Sequence, residues 1–367
     1  MEKKILVITP KFCLSGVALA QIRLARALSE EDHDVTLIIG NNNEGLSLPN
    51  LPNVKLVLLG HSRVIFMFFS LVRYLLNAKP EFIFSAEDHL NCVVTMAAIL
   101  TRSDSVICAS SRVTPFDTYS NIPFTKRWVL KYISRAVQFR IDLLTCVSKD
   151  MVGQYKTIFS SCRHTYVYNI VIDSLSSTLK KKEINHPWLN NKQRPVFIAA
   201  GMLEPWKGFD VLLEAFAKLN QRIDAHLIIL GDGSLRQPLL NLAKSLGISK
   251  QIDLPGYTYN PLAYFYRADV FVLSSRVEGM PNVLIEAMSC GCTPVSTDCN
   301  TGPSEILINE RYGYLCPVDD SDKMALQLEQ AITNPIRPEL LDQATRDFTT
   351  FNVLKRYGDL LSTNLIK

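Results

Sequence analysis

Val270–Asp298 reads VFVLSSRVEGMPNVLIEAMSCGCTPVSTD, and this stretch decides the fold class. The apolar run VFVLSS is followed by a loop that holds a glycine and a proline. The segment PNVLIEAMSCG then predicts a helix, because proline suits a first helical turn and glycine a helix end. A second apolar run, TPVSTD, follows at once. Strand, helix and strand in this order predict two parallel strands joined by a helix.

The same alternation extends along the chain. Strands are predicted at KILVIT, DVTLIIG, VKLVLL, EFIFS, SVICAS and LLTCV in the first half, and at VFIAAG, AHLIILG, QIDLPG and YGYLCP in the second. Strands this apolar, separated by amphipathic helices, indicate parallel sheets covered on both faces. The predicted class is therefore α/β, with two doubly wound Rossmann-like domains that face each other across a cleft.

A polar, lysine-rich segment interrupts the pattern and marks a domain boundary. It begins at Asp173 and contains two prolines, which is typical of a linker. The prediction is an N-terminal domain at residues 1–172, a linker at 173–194 and a C-terminal domain at 195–349. We expect a final helix at about 350–367 to pack back on the first domain.

Composition narrows the class of protein. Charged residues make up 20% of the 367 positions and the net charge is +4, which argues against a nucleic-acid binder. Nine cysteines form no CxxC pair, which favours buried thiols in a reducing cytoplasm over a zinc site. No signal-peptide pattern precedes the first strand, and the longest apolar stretch, Val64–Leu76, is too short to span a bilayer. We therefore expect a cytoplasmic protein.

Two glutamates flank the start of the predicted helix. Glu278 lies in the loop, and Glu286 lies eight positions later inside the helix. The unpaired amides at Gly279–Val283 would form a site for an anion such as a pyrophosphate. A carboxylate on each side of a diphosphate could accept hydrogen bonds from hydroxyls, which is the layout of a nucleotide sugar. From this spacing alone, a helix cap and a solvent-facing glutamate are the plainer alternative.

The motifs around these glutamates resemble the E-x7-E signature of the family 4 retaining glycosyltransferases, which have the GT-B fold. Loops similar to that family's donor-binding loops are GMLEPWKGFDVLLEAF, GDGSLRQPL, LPGY and STDCNTGPSEIL. The resemblance covers nearly the whole chain. It implies that the C-terminal domain binds a nucleotide sugar, expected to be a UDP-sugar, and that the N-terminal domain binds a glycan acceptor. It also implies transfer by front-face attack, without a protein nucleophile and without a cofactor.

The resemblance implies a role for each residue of the donor site. Glu278 would contact the donor sugar, Glu286 the ribose, and Lys207 would neutralise the leaving diphosphate. The remaining donor-binding residues would be Gly201, Gly279, Met280, Pro281, Asn282 and Val283. The family often has an arginine where this chain has Met202. Either another cation, such as Arg276, assists Lys207, or the enzyme is slower.

The N-terminal half resembles the family more loosely. Gly16 stands where the family has two adjacent glycines under the donor phosphates, and a glycine permits close approach of the backbone. Arg112 follows a predicted strand and could reach phosphate or sugar. In SAEDHLN, His89 is the candidate for a catalytic or substrate-orienting group, with a helix N-cap network as the alternative.

Two D-x-D pairs could suggest a metal site. They are Asp32 with Asp34 and Asp320 with Asp322. Neither pair follows a strand in the way that a metal-binding pair would. We therefore predict that no metal is required.

Two basic amphipathic segments lie in the N-terminal half. Phe124–Arg140 has five basic residues and no acidic one, and Arg127, Lys131 and Arg135 form a stripe at helical spacing. The segment around Arg73 is very apolar and also basic. Such helices can lie on anionic membranes, although core helices with solvated basic faces are the alternative. We expect a lipid-linked acceptor at the inner face of the cytoplasmic membrane, as in the lipopolysaccharide and O-antigen assembly enzymes that the chain resembles.

Two other functions stay open from the sequence. A nucleotide-sugar epimerase on the same fold would need extra acid–base residues and no acceptor surface. A catalytically inactive relative that acts as a partner subunit or scaffold is supported only by Met202 and the single Gly16. The intact Glu278, Glu286 and Lys207 argue against that second alternative.

Overall fold

The computed structural model describes residues 2–12, 16–42, 48, 50–159, 163–308 and 310–366. The chain forms two compact units, one of Met1–Asp173 with Thr349–Lys367 and one of Ser174–Phe348. Within each unit the described strands pair in parallel, which confirms the predicted α/β class.

The first unit contains a seven-stranded sheet among the described residues. Its strands are β1 (Lys4–Thr9), β2 (Asp34–Ile39), β3 (Val54–Leu58), β4 (Phe82–Ala86), β5 (Val106–Ser111), β6 (Leu143–Cys146) and β7 (Thr165–Tyr166), in the order β3-β2-β1-β4-β5-β6-β7. Its helices before the crossing to the second unit are α1 (Gly16–Glu30), α2 (Met67–Ala78), α3 (Asp88–Leu100), α4 (Pro115–Thr118), α5 (Lys126–Val137) and α6 (Lys149–Ile158).

Helices cover both faces of this sheet because successive strand residues point to opposite sides. Ile5 and Val7 of β1 pack in one apolar cluster with Leu28 of α1. Leu6 of β1 packs in a second cluster with Leu71 of α2 and with residues of α3. Two buried faces explain why β1 reads as a continuous apolar run.

The second unit contains a six-stranded sheet among the described residues. Its strands are β8 (Val196–Ala200), β9 (His226–Leu230), β10 (Ile252–Gly256), β11 (Val270–Leu273), β12 (Thr293–Thr297) and β13 (Tyr314–Cys316), in the order β10-β9-β8-β11-β12-β13. Its helices are α7 (Ser176–Leu179), α8 (Pro187–Asn190), α9 (Phe209–Asn220), α10 (Arg236–Ser245), α11 (Pro261–Phe265), α12 (Asn282–Ser289), α13 (Pro303–Leu307), α14 (Ser321–Thr333) and α15 (Pro338–Thr345).

The segment predicted as a linker is packed against the second unit. Nε2 of the buried His186 lies 3.0 Å from Oδ2 of Asp253 in β10. Trp188 of α8 stacks on His226, with ring centroids 4.0 Å apart. The segment predicted as a linker thus attaches to β9 and β10 of the second unit through His186 and Trp188.

The last helix, α16 (Thr350–Leu361), belongs to the first unit, as expected. Leu354 and Tyr357 lie in the same apolar cluster as Ile5 and Val7. The described cysteines are buried free thiols. In the part of the chain that the structure describes, no helix combines the length and the apolarity needed to cross a bilayer.

Candidate active site

The carboxyl ends of β8 and β11 bring Lys207 and Glu278 together, as the sequence predicted for the donor site. Lys207 Nζ lies 2.5 Å from Glu278 Oε1, and the two side chains are 16% and 11% exposed. The hydroxyl of Ser275 donates a hydrogen bond to the same oxygen at 2.6 Å. The hydroxyl of Thr301 donates to the backbone carbonyl of Glu278. Lys207 and Ser275 therefore hold one oxygen of the carboxylate, and Thr301 holds the backbone of the same residue.

The loop after β8 holds Lys207 at the end of a short 3-10 turn, Pro205–Lys207. Gly208 follows with φ at 62°, and a Cβ there would lie 2.1 Å from the carbonyl oxygen of Ser274. The hydroxyl of Ser274 donates to the carbonyl of Lys207 at 2.8 Å. Only glycine fits this approach, so the Lys-Gly pair of the motif has a structural reason.

Gly201 ends β8 and packs closely against the next loop. Gly231 has φ at 137°, and a Cβ there would lie 1.9 Å from the carbonyl oxygen of Gly201. A Cβ on Gly201 itself would touch the side-chain stem of Lys207 at 3.4 Å. The absence of a side chain at Gly231 and Gly201 therefore lets the two loops approach closely and lets the aliphatic part of Lys207 pack against Gly201.

Fewer backbone amides before α12 can donate to an anion than the sequence predicted. Pro281 has no amide hydrogen, and the amide of Asn282 donates to the carbonyl of Met280 at 3.0 Å. The helix begins one residue later than predicted, at Asn282. The backbone amides that remain candidates for binding an anion are therefore those of Gly279, Met280 and Val283. The backbone amide of Asn282 is engaged within the turn itself.

Glu286 lies one turn into α12 and near the loop after β10. Its charge helps to raise the pKa of Tyr257 to about 12, after burial and the neighbouring Tyr259. Tyr257 and Tyr259 meet edge to face with centroids 5.2 Å apart and are 45% and 78% exposed. A half-buried carboxylate beside two exposed aromatic rings is suited to a ribose and a nucleobase.

Arg276 is not available as the second cation that the sequence suggested. Its guanidinium donates two hydrogen bonds to Asp210, at 3.1 and 2.8 Å, and one to Asp319 at 2.6 Å. The hydrogen bond with Asp210 raises the pKa of Arg276. Burial acts to raise the pKa of Asp210, but the bonds and charge of Arg276 outweigh it and lower that pKa. Met202, where the family often has an arginine, is 54% exposed.

In the first unit, His89 lies beside a strained acidic residue. His89 Nε2 is 3.3 Å from Glu87 Oε2, and the His89 side chain is 46% exposed. Glu87 has φ at 79°, which a residue with a side chain rarely adopts and which costs about 1–3 kcal/mol. Burial raises the pKa of Glu87, against the charges of Lys11 and Arg112. The sequence motif indicated His89 as the candidate and not Glu87, because backbone strain cannot be predicted from the sequence.

Behind this turn, Asp88 is buried, and both of its carboxylate oxygens accept hydrogen bonds. It accepts hydrogen bonds from the hydroxyls of Ser111 and Tyr155, each at 2.8 Å. Burial raises its pKa, although these hydrogen bonds act in the opposite direction. Asp88 thus ties the ends of β4 and β5 to α6. Glu87 is the N-cap residue of α3, but its side chain caps no helix amide, so the hydrogen bonds of this turn are not the N-cap network considered as the alternative.

Arg112 is anchored within its own unit. Its guanidinium donates to Asn169 and, at 3.3 Å, to Gln21, which is itself buried. Its Nε is buried and has no hydrogen-bond partner among the described residues. Gly16 begins α1, and residues 13–15 of its predicted glycine loop lie outside the described residues.

Comparison with known proteins identifies the family. The family model for glycosyl transferases group 1 matches residues 180–348. A Campylobacter jejuni protein, N-acetylgalactosamine-N,N'-diacetylbacillosaminyl-diphospho-undecaprenol 4-alpha-N-acetylgalactosaminyltransferase, is 35% identical over 291 residues, which are 78% of this chain and 76% of that protein. This chain belongs to the group 1 glycosyltransferases. The resemblance found in the motifs is confirmed, and the chain is a sugar-transferring enzyme.

Two further proteins match this glycosyltransferase over almost its whole length. The amylovoran biosynthesis glycosyltransferase AmsD of Erwinia amylovora is 25% identical, over 92% of this chain and 93% of AmsD. The structure of Anabaena HepE in complex with UDP and glucose has a TM-score of 0.78 at 16% identity, over 98% of this chain and 100% of HepE. The structural match confirms the predicted GT-B fold.

The D-x-D pairs of the glycosyltransferase have structural partners. Asp320 caps α14 by accepting a hydrogen bond from the amide of Lys323 at 2.8 Å. Asp322 pairs with Lys218 at 2.6 Å. Asp34 begins β2, and Asp32 precedes it in a turn. Among the described residues, no group of three or more His, Cys, Asp or Glu side chains is arranged to hold a metal ion.

The basic stripe of the glycosyltransferase lies on α5 and contacts its own unit. Arg127 donates to the carbonyl of Phe116, and Lys131 donates to Asn121 at 2.7 Å. Arg135 donates to the carbonyl of Ile158 at 3.2 Å. Exposed apolar side chains occur on α5, on the segments next to it in the sequence and on α2. They are Phe69, Phe116, Ile122, Phe124, Tyr132 and Phe139.

Proposed function

We propose that this glycosyltransferase moves a sugar from a UDP-sugar to a lipid-linked glycan, with retention of the anomeric configuration. The observation that carries the proposal is the Lys207–Glu278 pair at the start of α12. It sets one cation and one carboxylate side by side where a diphosphate and a sugar would be bound. The proposed pathway is assembly of a surface polysaccharide such as lipopolysaccharide, O-antigen or capsule.

The donor would lie along the edge formed by the loops after β8, β10 and β11. Lys207 and the amides of Gly279 and Val283 would hold the diphosphate, whose charge grows as the sugar leaves. Glu278 would accept hydrogen bonds from sugar hydroxyls, and Glu286 from the ribose. Tyr257, 45% exposed beside Glu286, offers a flat surface to the nucleobase.

The transfer breaks the bond between the anomeric carbon and the phosphate oxygen and forms one to the acceptor oxygen on the same face. The acceptor proton passes to the leaving phosphate. The protein contributes orientation and charge stabilisation, and no side chain has to act as a nucleophile. In the first unit, Glu87 and His89 are the proposed acceptor-orienting groups, because a strained, partly buried carboxylate beside an imidazole is typical of a functional turn.

The proposed acceptor and pathway draw on relatives. The Campylobacter jejuni relative is named for transfer to an undecaprenol diphosphate-linked sugar, and AmsD is named for amylovoran biosynthesis. Both names concern glycans built for the cell surface. A lipid-linked acceptor also requires the enzyme to work at a membrane surface.

For that reason we propose that α5 and α2 of the first unit touch the inner face of the cytoplasmic membrane. Phe124 and Phe69 are 91% and 78% exposed, beside the basic side chains of Arg127 and Arg73. Exposed aromatic residues close in sequence to basic ones, in and beside amphipathic helices, favour the interface of an anionic bilayer. The local hydrogen bonds of the basic stripe favour the alternative of a solvated face.

The test is a panel of UDP- and GDP-sugars, each incubated with the purified enzyme and with or without undecaprenyl diphosphate-linked glycans. We expect release of UDP from one UDP-sugar, accelerated by the lipid-linked glycan, and an α-linked product from an α-linked donor. Release of GDP alone, or release unaffected by any lipid-linked glycan, would contradict the proposed substrates. Isomerisation of the donor sugar without transfer would instead identify an epimerase.

A further inference from the structure

Lys207 already has an anionic partner within the protein. Its ammonium lies 2.5 Å from Glu278 Oε1, in a pair whose side chains are 16% and 11% exposed. Solvent screens a pair with this little exposure only weakly. Any second anion that Lys207 binds would therefore feel the charge of Glu278 directly.

The two members of the pair are not equally mobile. Glu278 is also held by the hydroxyl of Ser275 at 2.6 Å and, through its backbone, by the hydroxyl of Thr301. Ser275 in turn accepts at its carbonyl from Thr297 at 2.5 Å. Lys207 ends in a flexible ammonium that can re-aim. An exchange of partners would thus move the lysine and leave the carboxylate in place.

We propose that Glu278 competes with the donor diphosphate for Lys207, and that this competition makes the enzyme prefer UDP-sugar over UDP. The inference rests on the proposed function of the donor site. When a sugar is present, its hydroxyls satisfy Glu278 and Lys207 stays with the diphosphate. After transfer, Glu278 loses the sugar and draws Lys207 back, so the UDP product is held less tightly and leaves.

Ser275 is then a positioning residue. Its hydroxyl keeps Oε1 of Glu278 at one place while Lys207 changes partner. Without it, the carboxylate could follow the lysine toward the diphosphate, and the discrimination between UDP-sugar and UDP would weaken.

The experiment is a double-mutant cycle on UDP binding, measured by isothermal titration calorimetry with wild type, Glu278→Gln, Lys207→Met and the double variant. We expect Glu278→Gln to bind UDP about fivefold or more tightly than wild type, because Lys207 is released. We expect Lys207→Met to bind UDP more weakly, and the gain from Glu278→Gln to disappear in its background.

Asp322→Asn is the matched control, since Asp322 also pairs with a lysine of the same unit, Lys218, at 2.6 Å but is 84% exposed. It should leave the affinity for UDP unchanged. Weaker or equal binding of UDP by Glu278→Gln would overturn the inference, and so would an equal gain with and without Lys207. If wild type binds UDP and the cycle shows no coupling, the proposed function stands without this inference. If no variant binds UDP, the UDP-sugar proposal fails and this inference fails with it.

Discussion

Arg276 holds Asp210 by two hydrogen bonds, at 3.1 and 2.8 Å, and its Nε holds Asp319 at 2.6 Å. Two carboxylates thus neutralise the cation that could have replaced the arginine missing at Met202. Lys207 is then the main cationic side chain assigned to the diphosphate. Phosphate binding at this site should respond strongly to an added positive charge.

Met202→Arg should strengthen donor binding. A guanidinium beside a diphosphate contributes about 1 kcal/mol or more, so we expect the donor KM to fall by roughly fivefold. Leu326→Arg is the control, because Leu326 is also exposed and apolar but lies on α14. The measurement is donor KM at fixed ionic strength. Equal effects of both substitutions would mean that net charge, not position, matters.

Transfer should persist in excess EDTA. Lys207 and the amides near α12 are assigned the charge stabilisation that a divalent cation supplies in other enzymes. The initial rate of transfer, measured with and without EDTA, should agree within about a factor of two. Loss of activity that Mn²⁺ or Mg²⁺ restores would require a metal ion at the diphosphate.

Replacing Arg127, Lys131 and Arg135 together with Gln should release the enzyme from anionic vesicles. Each basic residue near such a surface contributes about 1 kcal/mol, and salt should weaken the binding of wild type in the same way. The control replaces three exposed lysines of the second unit, Lys244, Lys250 and Lys323, with Gln. Vesicle co-sedimentation that is unchanged in the α5 variant and insensitive to salt would support the solvated-face alternative.

The sequence predicted the sheets well because their strands are buried on both faces. The runs assigned to β1–β6 and to β8–β13 end within two residues of the observed strands. Strand β7 was missed, since Thr165–Tyr166 is too short to form an apolar run. The packing of the predicted linker on the second unit could not be predicted from its composition, because the partners of His186 and Trp188 lie far along the chain.

The donor site was predicted in its composition but not in its contacts. The resemblance to the family implied that Lys207 and Glu278 belong to one site, and the structure places them in direct contact. The hydrogen bonds that Arg276 makes to two carboxylates could not be predicted from the sequence, because Asp210 and Asp319 lie 66 and 43 positions away. The strain at Glu87 depends on the turn that Asp88 anchors, which no local pattern reveals.

His164 should destabilise the first unit in acid. Burial lowers its pKa from 6.5 to about 4, and its ring packs against Tyr155 with the centroids 4.5 Å apart and the planes tilted by 37°. The unfolded chain binds a proton at higher pH than the folded one, so stability is present above pH 6.5 and is lost as pH falls toward 4. The expected loss is about 3 kcal/mol over this window.

The measurement is urea unfolding of wild type and His164→Phe between pH 4 and 7, because phenylalanine keeps the ring but cannot take a proton. The variant should lose less stability than wild type as the pH falls from 7 to 4, because it has no group that binds a proton in this window. Parallel stability curves for the two proteins would show that His164 does not titrate in this window.

Glu286→Gln should act on donor binding more than on chemistry. The ribose changes little during the reaction, so a contact with it stabilises ground state and transition state alike. We expect donor KM to rise with kcat nearly unchanged. A fall in kcat without a change in KM would place Glu286 at the sugar and not at the ribose.

The central claim is that Glu278 holds the donor sugar while charge develops at the anomeric carbon, and the most direct test is kcat of Glu278→Gln. The substitution keeps the shape and removes the charge, and a charged contact in a closed site is worth roughly 2–4 kcal/mol in the transition state. We expect kcat to fall by about 30-fold to 1000-fold while the protein stays folded. A variant that retains nearly full kcat, or that no longer folds, would contradict the claim and leave Glu278 a structural residue.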